Sequence, residues 1–181
     1  MNARRVTMAG CALILLLGTG AALAQSCVSS IPDPAPDARY LMKSDGTVVD
    51  RDTGLMWMRC AVGQAWDATQ KTCTGTAKTF TWKAALAEVQ AVNSASYAGY
   101  QDWRLPNLRE LTSLVRYACP DPAINVKAFP ATPGETFWTS TPVASSYGLG
   151  WGVDFTTGQA YFQAYGNAFP IRLVRAGAFA Y

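Results

Sequence analysis

Leu108, Leu111, Leu114 and Val115 recur at helical spacing with Arg109, Glu110, Ser113 and Arg116 between them, a pattern that predicts a helix with one buried stripe. Asn107 followed three residues later by Glu110 reads as a capping box at its start, while Pro106 excludes an earlier start and biases Leu105 toward extended geometry. A second stripe, Trp82, Ala85, Leu86, Val89 and Val92 with Lys83, Glu88 and Gln90 opposite, predicts a helix from Trp82 to about Asn93, capped by Thr81. Elsewhere the period is two. Thr47 to Asp50 and Leu55 to Arg59 read as a hairpin about Asp52-Thr53-Gly54. Pro120, Pro122, Pro130, Pro133 and Pro142 exclude long helices between Cys119 and Trp151. Phe137 to Thr141 reads as a strand, Gly150 to Phe155 and Gln159 to Tyr165 as a hairpin about Thr156-Thr157-Gly158, and Phe169 to Arg175 as a closing strand. Trp151, Val153 and Phe155 share one face and are expected in the core. The fold class expected is α+β: two helices with a mainly antiparallel, twisted sheet whose C-terminal strands return to the N-terminal hairpin.

The N-terminus follows a different pattern. Arg4 and Arg5 precede an apolar run from Ala9 to Leu17, and Ala22-Leu23-Ala24 supplies small residues, so residues 1–24 read as a signal peptide. The run is too short for a membrane span, which needs about 20 residues. Cys11 and Cys27 each raise a lipidation alternative, but Cys11 precedes most of the run and Gln25 is a poor lipidation-box residue, so a mature chain beginning at Gln25 is expected. Of the 15 basic residues two fall in the leader, leaving 13 against 12 acidic ones and a net charge of +1. The basicity belongs to the leader and gives no argument for nucleic acid or for a membrane surface. A Pro-rich segment, residues 25–39, then leads into one domain over 40–181.

Four cysteines survive cleavage: Cys27, Cys60, Cys73 and Cys119. An even number in an exported chain reads as two disulfides with three possible pairings. Joining Cys60 to Cys73 across the short polar insert AVGQAWDATQKT is the least demanding choice, worth about 3 kcal/mol in chain entropy. Cys27 would then tie the Pro-rich segment to Cys119. A metal or redox reading fits neither the spacing, which lacks C-x-x-C, nor a chain without histidine.

Candidate chemistry is sparse. Asp45, Asp50 and Asp52 are close enough in sequence to raise a calcium site, but acidic residues in turns ordinarily cap their own backbone, and the EF-hand pattern is absent. Asp102 and Arg104 flank Trp103 on an extended stretch and are expected to form a hydrogen-bonded pair. Without histidine there is no Ser-His-Asp triad and no Cys-His pair. The only glutamates are Glu88, Glu110 and Glu135, of which two sit on predicted helices and Glu110 already has a capping role. No phosphate-binding Gly-rich loop occurs, so neither catalysis nor a cofactor is expected. The small, polar, Gly-containing stretch Ser140 to Gly150 presents Tyr147 between strands, as recognition loops do. Tyr147, with Tyr161 and Tyr165, is the candidate ligand contact, since tyrosine combines apolar area with a hydroxyl.

GYQDWRLPNLRELTSLV, with DRDTGLMWMR upstream and FWTST, WGVDFTTG and IRLVR downstream, resembles the Lcl C-terminal domain, a bacterial extracytoplasmic module named after a collagen-like adhesin. The resemblance is ordered and spans Tyr40 to Arg175. It implies a C-type-lectin-like fold and, from the glycan adhesion attributed to the collagen-like member, a binding role; it carries no catalytic residues. The expectation is therefore an exported, non-catalytic module, periplasmic or extracellular, that recognises an extracellular glycan or a surface protein. Nucleic acid and stable membrane insertion after leader cleavage are not expected. The alternatives are an accessory subunit of a cell-surface assembly, or an enzyme of the formylglycine-generating-like fold, for which the sequence offers no exposed reduced cysteine pair. A different contact surface would be the Cys60 to Trp82 insert with Lys71, Lys78 and Lys83.

Overall fold

A computed structural model of the protein describes residues 25–177; the signal-peptide reading of residues 1–24, with its Cys11 alternative, lies outside the described residues. After a 3-10 turn at Asp37–Arg39, strands β1 (Tyr40–Met42), β2 (Thr47–Asp50) and β3 (Leu55–Met58) form an antiparallel meander. Its first turn is shaped by Asp45, whose carboxylate accepts from the Thr47 N–H at 3.0 Å and from its hydroxyl at 2.6 Å. Gly46 there has a φ of +83°, and a Cβ on it would lie 2.7 Å from the Tyr97 hydroxyl, so only glycine fits. At the second turn Asp50 accepts from the Asp52 N–H and the Thr53 hydroxyl. These are turn caps of the ordinary kind.

Strands β4 (Ala65–Asp67) and β5 (Thr72–Thr74) make a small hairpin inside the loop closed by the Cys60–Cys73 disulfide. Next come β6 (Thr79–Phe80) and helix α1 (Trp82–Ser94), whose cap is the Thr81 side chain accepting from the Ala84 N–H. Of the expected apolar stripe only Ala85 is fully buried; Trp82, Val89 and Val92 are partly covered, and Leu86 faces solvent. The helix lies on the domain rather than in it. Asn93 near its end clamps the next stretch, accepting from the Trp103 N–H and donating to the Trp103 carbonyl, both at 2.9 Å.

Helix α2 is shorter than its sequence pattern implies, spanning Leu108–Thr112. The capping box forms: Asn107 accepts from the Glu110 N–H at 2.9 Å, and Glu110 from the Asn107 N–H at 2.8 Å. The last turn then tightens, with Leu114 N–H to Leu111 O and Val115 N–H to Thr112 O, and Val115 leaves the helix to bridge Ile124. Leu111, Leu114 and Val115 are still buried, because a 3-10-like turn continues the same stripe. Asn107→Ala is expected to cost about 1 kcal/mol in urea unfolding through loss of this cap. A change within error would mean that tertiary contacts alone hold the helix.

One expectation fails here. Arg104 does not pair with Asp102 but makes a bidentate pair with Glu110, both bonds at 2.7 Å. Asp102 instead accepts from Arg175, at 2.6 Å and 3.1 Å. The reason is the antiparallel bridge between Arg104 and Val174, which lays Arg175 beside Asp102 while the capping box brings Glu110 back to Arg104. The cap thus uses Glu110 twice.

Strands β7 (Thr136–Pro142), β8 (Leu149–Asp154) and β9 (Gln159–Ala164) form a separate three-stranded antiparallel sheet in that order. Val153 and Phe155 are fully buried as expected, whereas Trp151 is only partly covered and meets Phe162 edge to face at 6.2 Å. The expected closing strand is two strands: β10 (Phe169–Pro170) pairs with β6, and β11 (Val174–Ala176) pairs with β3. Between them Ile171, Arg172 and Leu173 are buried. Among the described residues two α-helices, antiparallel sheets and two disulfides make the α+β class, compatible with the C-type-lectin-like fold that the resemblance implies.

Two apolar cores lie on either side of the β7–β8–β9 sheet. Leu111, Phe137, Val153 and Phe155 belong to one, with Trp57 and Phe129; Trp103, Trp138 and Leu173 belong to the other, with α1 against it. Arg172 is wholly buried and has no carboxylate partner among the described residues. It donates to the Met58 and Arg59 carbonyls and to the Thr132 hydroxyl, and its guanidinium lies 4.9 Å from the Phe129 ring centre. Burial pushes its pKa down to about 9, which leaves it charged at neutral pH. Carbonyl dipoles, a hydroxyl and an aromatic face replace water around its Nη groups, while its buried Nε has no partner among the described residues.

Candidate functional site

Strand β8 carries glycine at two alternate positions, Gly150 and Gly152, which point to the same face. The space above Gly150 is taken by rings from elsewhere: a Cβ there would meet Tyr165 at 3.0 Å and the Trp82 indole at 3.1 Å. Those two rings stack with centroids 4.3 Å apart and planes 12° from parallel. The stack is anchored by backbone and side-chain bonds together. The Trp82 N–H donates to Tyr165 O at 3.0 Å, and the Trp82 indole N–H donates to Thr139 O at 2.9 Å. Tyr165 N–H in turn donates to Gly148 O at 2.8 Å, which fixes the end of β9 against the β7–β8 loop.

That loop forms a concave pocket of about 340 Å³ lined by residues 142–148 and by Tyr165. Val143 N–H to Leu149 O and Ser146 N–H to Val143 O hold its backbone, and Gly148 turns the chain with a φ of +85°. Tyr147 stands wholly exposed at the rim. Tyr161, Gln163 and Tyr165 alternate along β9 and so face the same way, Tyr161 half exposed. The structure therefore brings Tyr147 and Tyr165 to one pocket and sets Tyr161 on the same face of the sheet. Tyr165 has a packing duty as well, since it backs Trp82.

The chemistry of the pocket is uniform. Its lining is small, hydroxylated or aromatic and holds no carboxylate, lysine or arginine. A charged ligand group would lose its water there with nothing to compensate it, whereas a neutral ring presenting C–H groups and hydroxyls would find aromatic faces and Ser145 and Ser146 hydroxyls.

A second pocket of about 330 Å³ is lined by Lys43, Arg59, Trp66 and Lys71, among others, but neither Lys78 nor Lys83 reaches it. Arg59 is buried and already donates to Ala128 O at 3.0 Å and Lys127 O at 2.6 Å, with Trp66 stacked on it at 4.1 Å. Burial lowers its pKa from the ordinary arginine value. Its role is to hold the insert to the 127–128 stretch. Of the three aspartates read as a calcium candidate, Asp45 caps β2, while Asp50, buried, and Asp52, largely exposed, both meet the Arg39 guanidinium, a cation already in place. Among the described residues no group of three or more His, Cys, Asp or Glu side chains is placed to hold a metal ion.

Trp82, which the sequence reading assigned to the scaffold, packs against the core of Trp103, Trp138 and Leu173 and backs Tyr165 without lining the pocket itself. The Gly150, Gly152 alternation was the signal for it, because bare alternate positions on a strand mark the close approach of something bulky. No curated protein matches the chain. The Lcl C-terminal domain profile matches residues 46–175, which includes the whole pocket, the Trp82–Tyr165 stack and the central Trp103 segment. With most of its length so matched, the chain belongs to the Lcl C-terminal domain family.

Proposed function

We propose that this domain is an exported, surface-associated binding module that recognises a neutral extracellular glycan at the β7–β8 loop pocket and does not chemically alter it. The observation that carries the reading is the uncharged cleft lined by exposed Tyr147 and by Tyr165, whose ring Trp82 backs. Sugar rings bind by laying C–H faces on aromatic rings while hydroxyl groups meet polar donors and acceptors, and the pocket supplies both. Export is supported by two disulfides, which persist in oxidising compartments. Among the described residues no helix is long and apolar enough to cross a membrane.

A glycan array probed with the purified protein tests this. Tyr147→Ala is expected to weaken binding to the retained glycan about tenfold, about 1.4 kcal/mol, with thermal stability unchanged because Tyr147 packs against nothing. Retention that survives Tyr147→Ala but is lost on reversing the charge of Lys43 or Lys71 would move the contact to the Trp66 pocket. An array without signal, alongside a protein captured specifically from envelope extract, would replace the glycan by a surface protein.

A further inference from the structure

Strand β9 is the open edge of its sheet. Tyr165 N–H bonds Gly148 O, and the register runs from Leu149 opposite Ala164 to Asp154 opposite Gln159. By the alternation of an antiparallel ladder, Gln159, Tyr161 and Gln163 direct their backbone groups to β8, while Ala160, Phe162 and Ala164 direct theirs outward. Ala164 O is taken by the Asn167 N–H at 2.9 Å. The N–H and C=O of Ala160 and Phe162 have no partner among the described residues. Native edges are ordinarily blunted by charge, proline or a bulge, and QAYFQA has none of these.

The side chains at this edge are complementary to themselves. Phe162 is 61 % exposed and shares a face with Ala160. Beside Ala160 a trough of about 480 Å³ opens against α2, lined by Leu108, Arg109, Thr112, Ser113 and Ala160. A knob and a matching hole thus sit two residues apart on one strand.

We propose that β9 pairs antiparallel with β9 of a second copy of this chain, about a two-fold axis through Tyr161. In that register Ala160 lies opposite the partner's Phe162 and exchanges both backbone hydrogen bonds with it, and the symmetric pair does the same. The four open groups of Ala160 and Phe162 in each copy are thereby satisfied. Each Phe162 enters the other copy's trough beside α2, with Arg109 at its rim, so the interface is isologous and closed. Tyr161 meets its own copy at the non-hydrogen-bonded position, Gln159 meets the partner's Gln163, and no like charges face each other. A two-fold axis normal to the sheet sets both loop pockets on the same side of a six-stranded sheet. The proposal does not depend on what those pockets bind.

Sedimentation or light scattering on the purified protein, with cysteine trapping, tests the pairing. The wild-type protein is expected to run as a dimer, and Phe162→Lys as a folded monomer whose thermal midpoint no longer depends on protein concentration. Tyr161→Cys is expected to give a disulfide-linked dimer on a non-reducing gel, while Thr157→Cys at the hairpin tip gives none. Should Phe162→Lys misfold, the Tyr161→Cys link alone decides. A monomer at every concentration with no Tyr161→Cys link, or a dimer that persists in folded Phe162→Lys, overturns the proposal.

Discussion

Asp50→Ala is expected to lower the unfolding free energy by about 3–5 kcal/mol, because it strands a buried guanidinium. Asp50 is fully buried and Arg39 nearly so, and they form a two-point pair through Arg39 Nε to Oδ1 at 2.7 Å and Nη2 to Oδ2 at 2.5 Å. The remaining Arg39 donors go to the Pro34 and Ser113 carbonyls, each at 3.0 Å. One ion pair therefore ties the Pro-rich segment, the β2–β3 hairpin and the end of α2 together. Asp52 lies 3.5 Å from the same guanidinium but is largely exposed, so it recovers little of the loss. Asp52→Ala should accordingly change stability by no more than about 0.5 kcal/mol, against the large effect at Asp50. Urea unfolding with an unchanged m-value is the measurement; equal losses at the two positions would show that Arg39 reaches water when Asp50 is removed.

The same pair gives an acid limb to the stability curve. Burial pushes the Asp50 carboxyl up, but the Arg39 and Thr53 hydrogen bonds and the Arg39 charge outweigh it and hold the pKa below the ordinary aspartate value. Glu110 follows the same logic: burial raises it, and Arg104 with the Asn107 N–H brings it below 4.5. Asp37 is lowered chiefly by Lys127, and Asp102 chiefly by Arg175. A carboxyl with a depressed folded pKa contributes stability that is complete above its unfolded pKa and is lost as pH falls through the folded one. Stability should thus be flat near neutrality and fall below about pH 4. Asp50→Ala should flatten part of that fall.

How much of this was legible in the sequence depended on the range of the contact. The capping box, the Thr81 cap, the β2–β3 hairpin, the β8–β9 hairpin and both disulfides follow from residues close together in sequence or from counting cysteines, and each stands where it was expected. What failed was choice of partner. Asp102 and Arg104 are near neighbours, but Arg175, 73 positions from Asp102, is delivered by a bridge that no local pattern encodes. Arg39–Asp50 escaped notice for a related reason, since Asp50 already had a turn role and burial of an arginine is a tertiary fact.

The site was half legible. Exposure of Tyr147 followed from a small-residue loop between strands, and Tyr165 joined it because β9 ends where that loop ends. Trp82 was placed in the scaffold because it opens an amphipathic stripe, and it does pack against the second core; the stripe did not show that its indole also lies over Gly150 and stacks on Tyr165. Leu86 faces solvent in the same helix, so the stripe is rotated from the pattern's centre. Periodicity marks which face is apolar; it does not say which ring from another element that face will meet.

Removing the Cys27–Cys119 disulfide is expected to be the larger of the two cysteine effects, about 4–5 kcal/mol against about 3 kcal/mol for Cys60–Cys73. The difference comes from the unfolded chain: one bridge spans 92 positions and the other 13, and loop-closure entropy grows with the logarithm of that span. The native contacts around the long bridge remain without it. Val28 N–H still donates to Ala118 O, Gln25 to Ile124 O, Arg116 still pairs with Asp33, and Asn125 still donates to Ala35 O. Alanine at both positions is the cleaner test, because a serine hydroxyl at fully buried Cys119 would add an unsatisfied group. Comparing the double variants Cys27→Ala/Cys119→Ala and Cys60→Ala/Cys73→Ala in urea gives the order directly. If the long bridge proved the weaker contributor, residues 25–39 would have to detach before the rest of the domain unfolds. The closed loop would then have constrained only a terminal segment, and Arg39 would leave Asp50 at the same denaturant concentration.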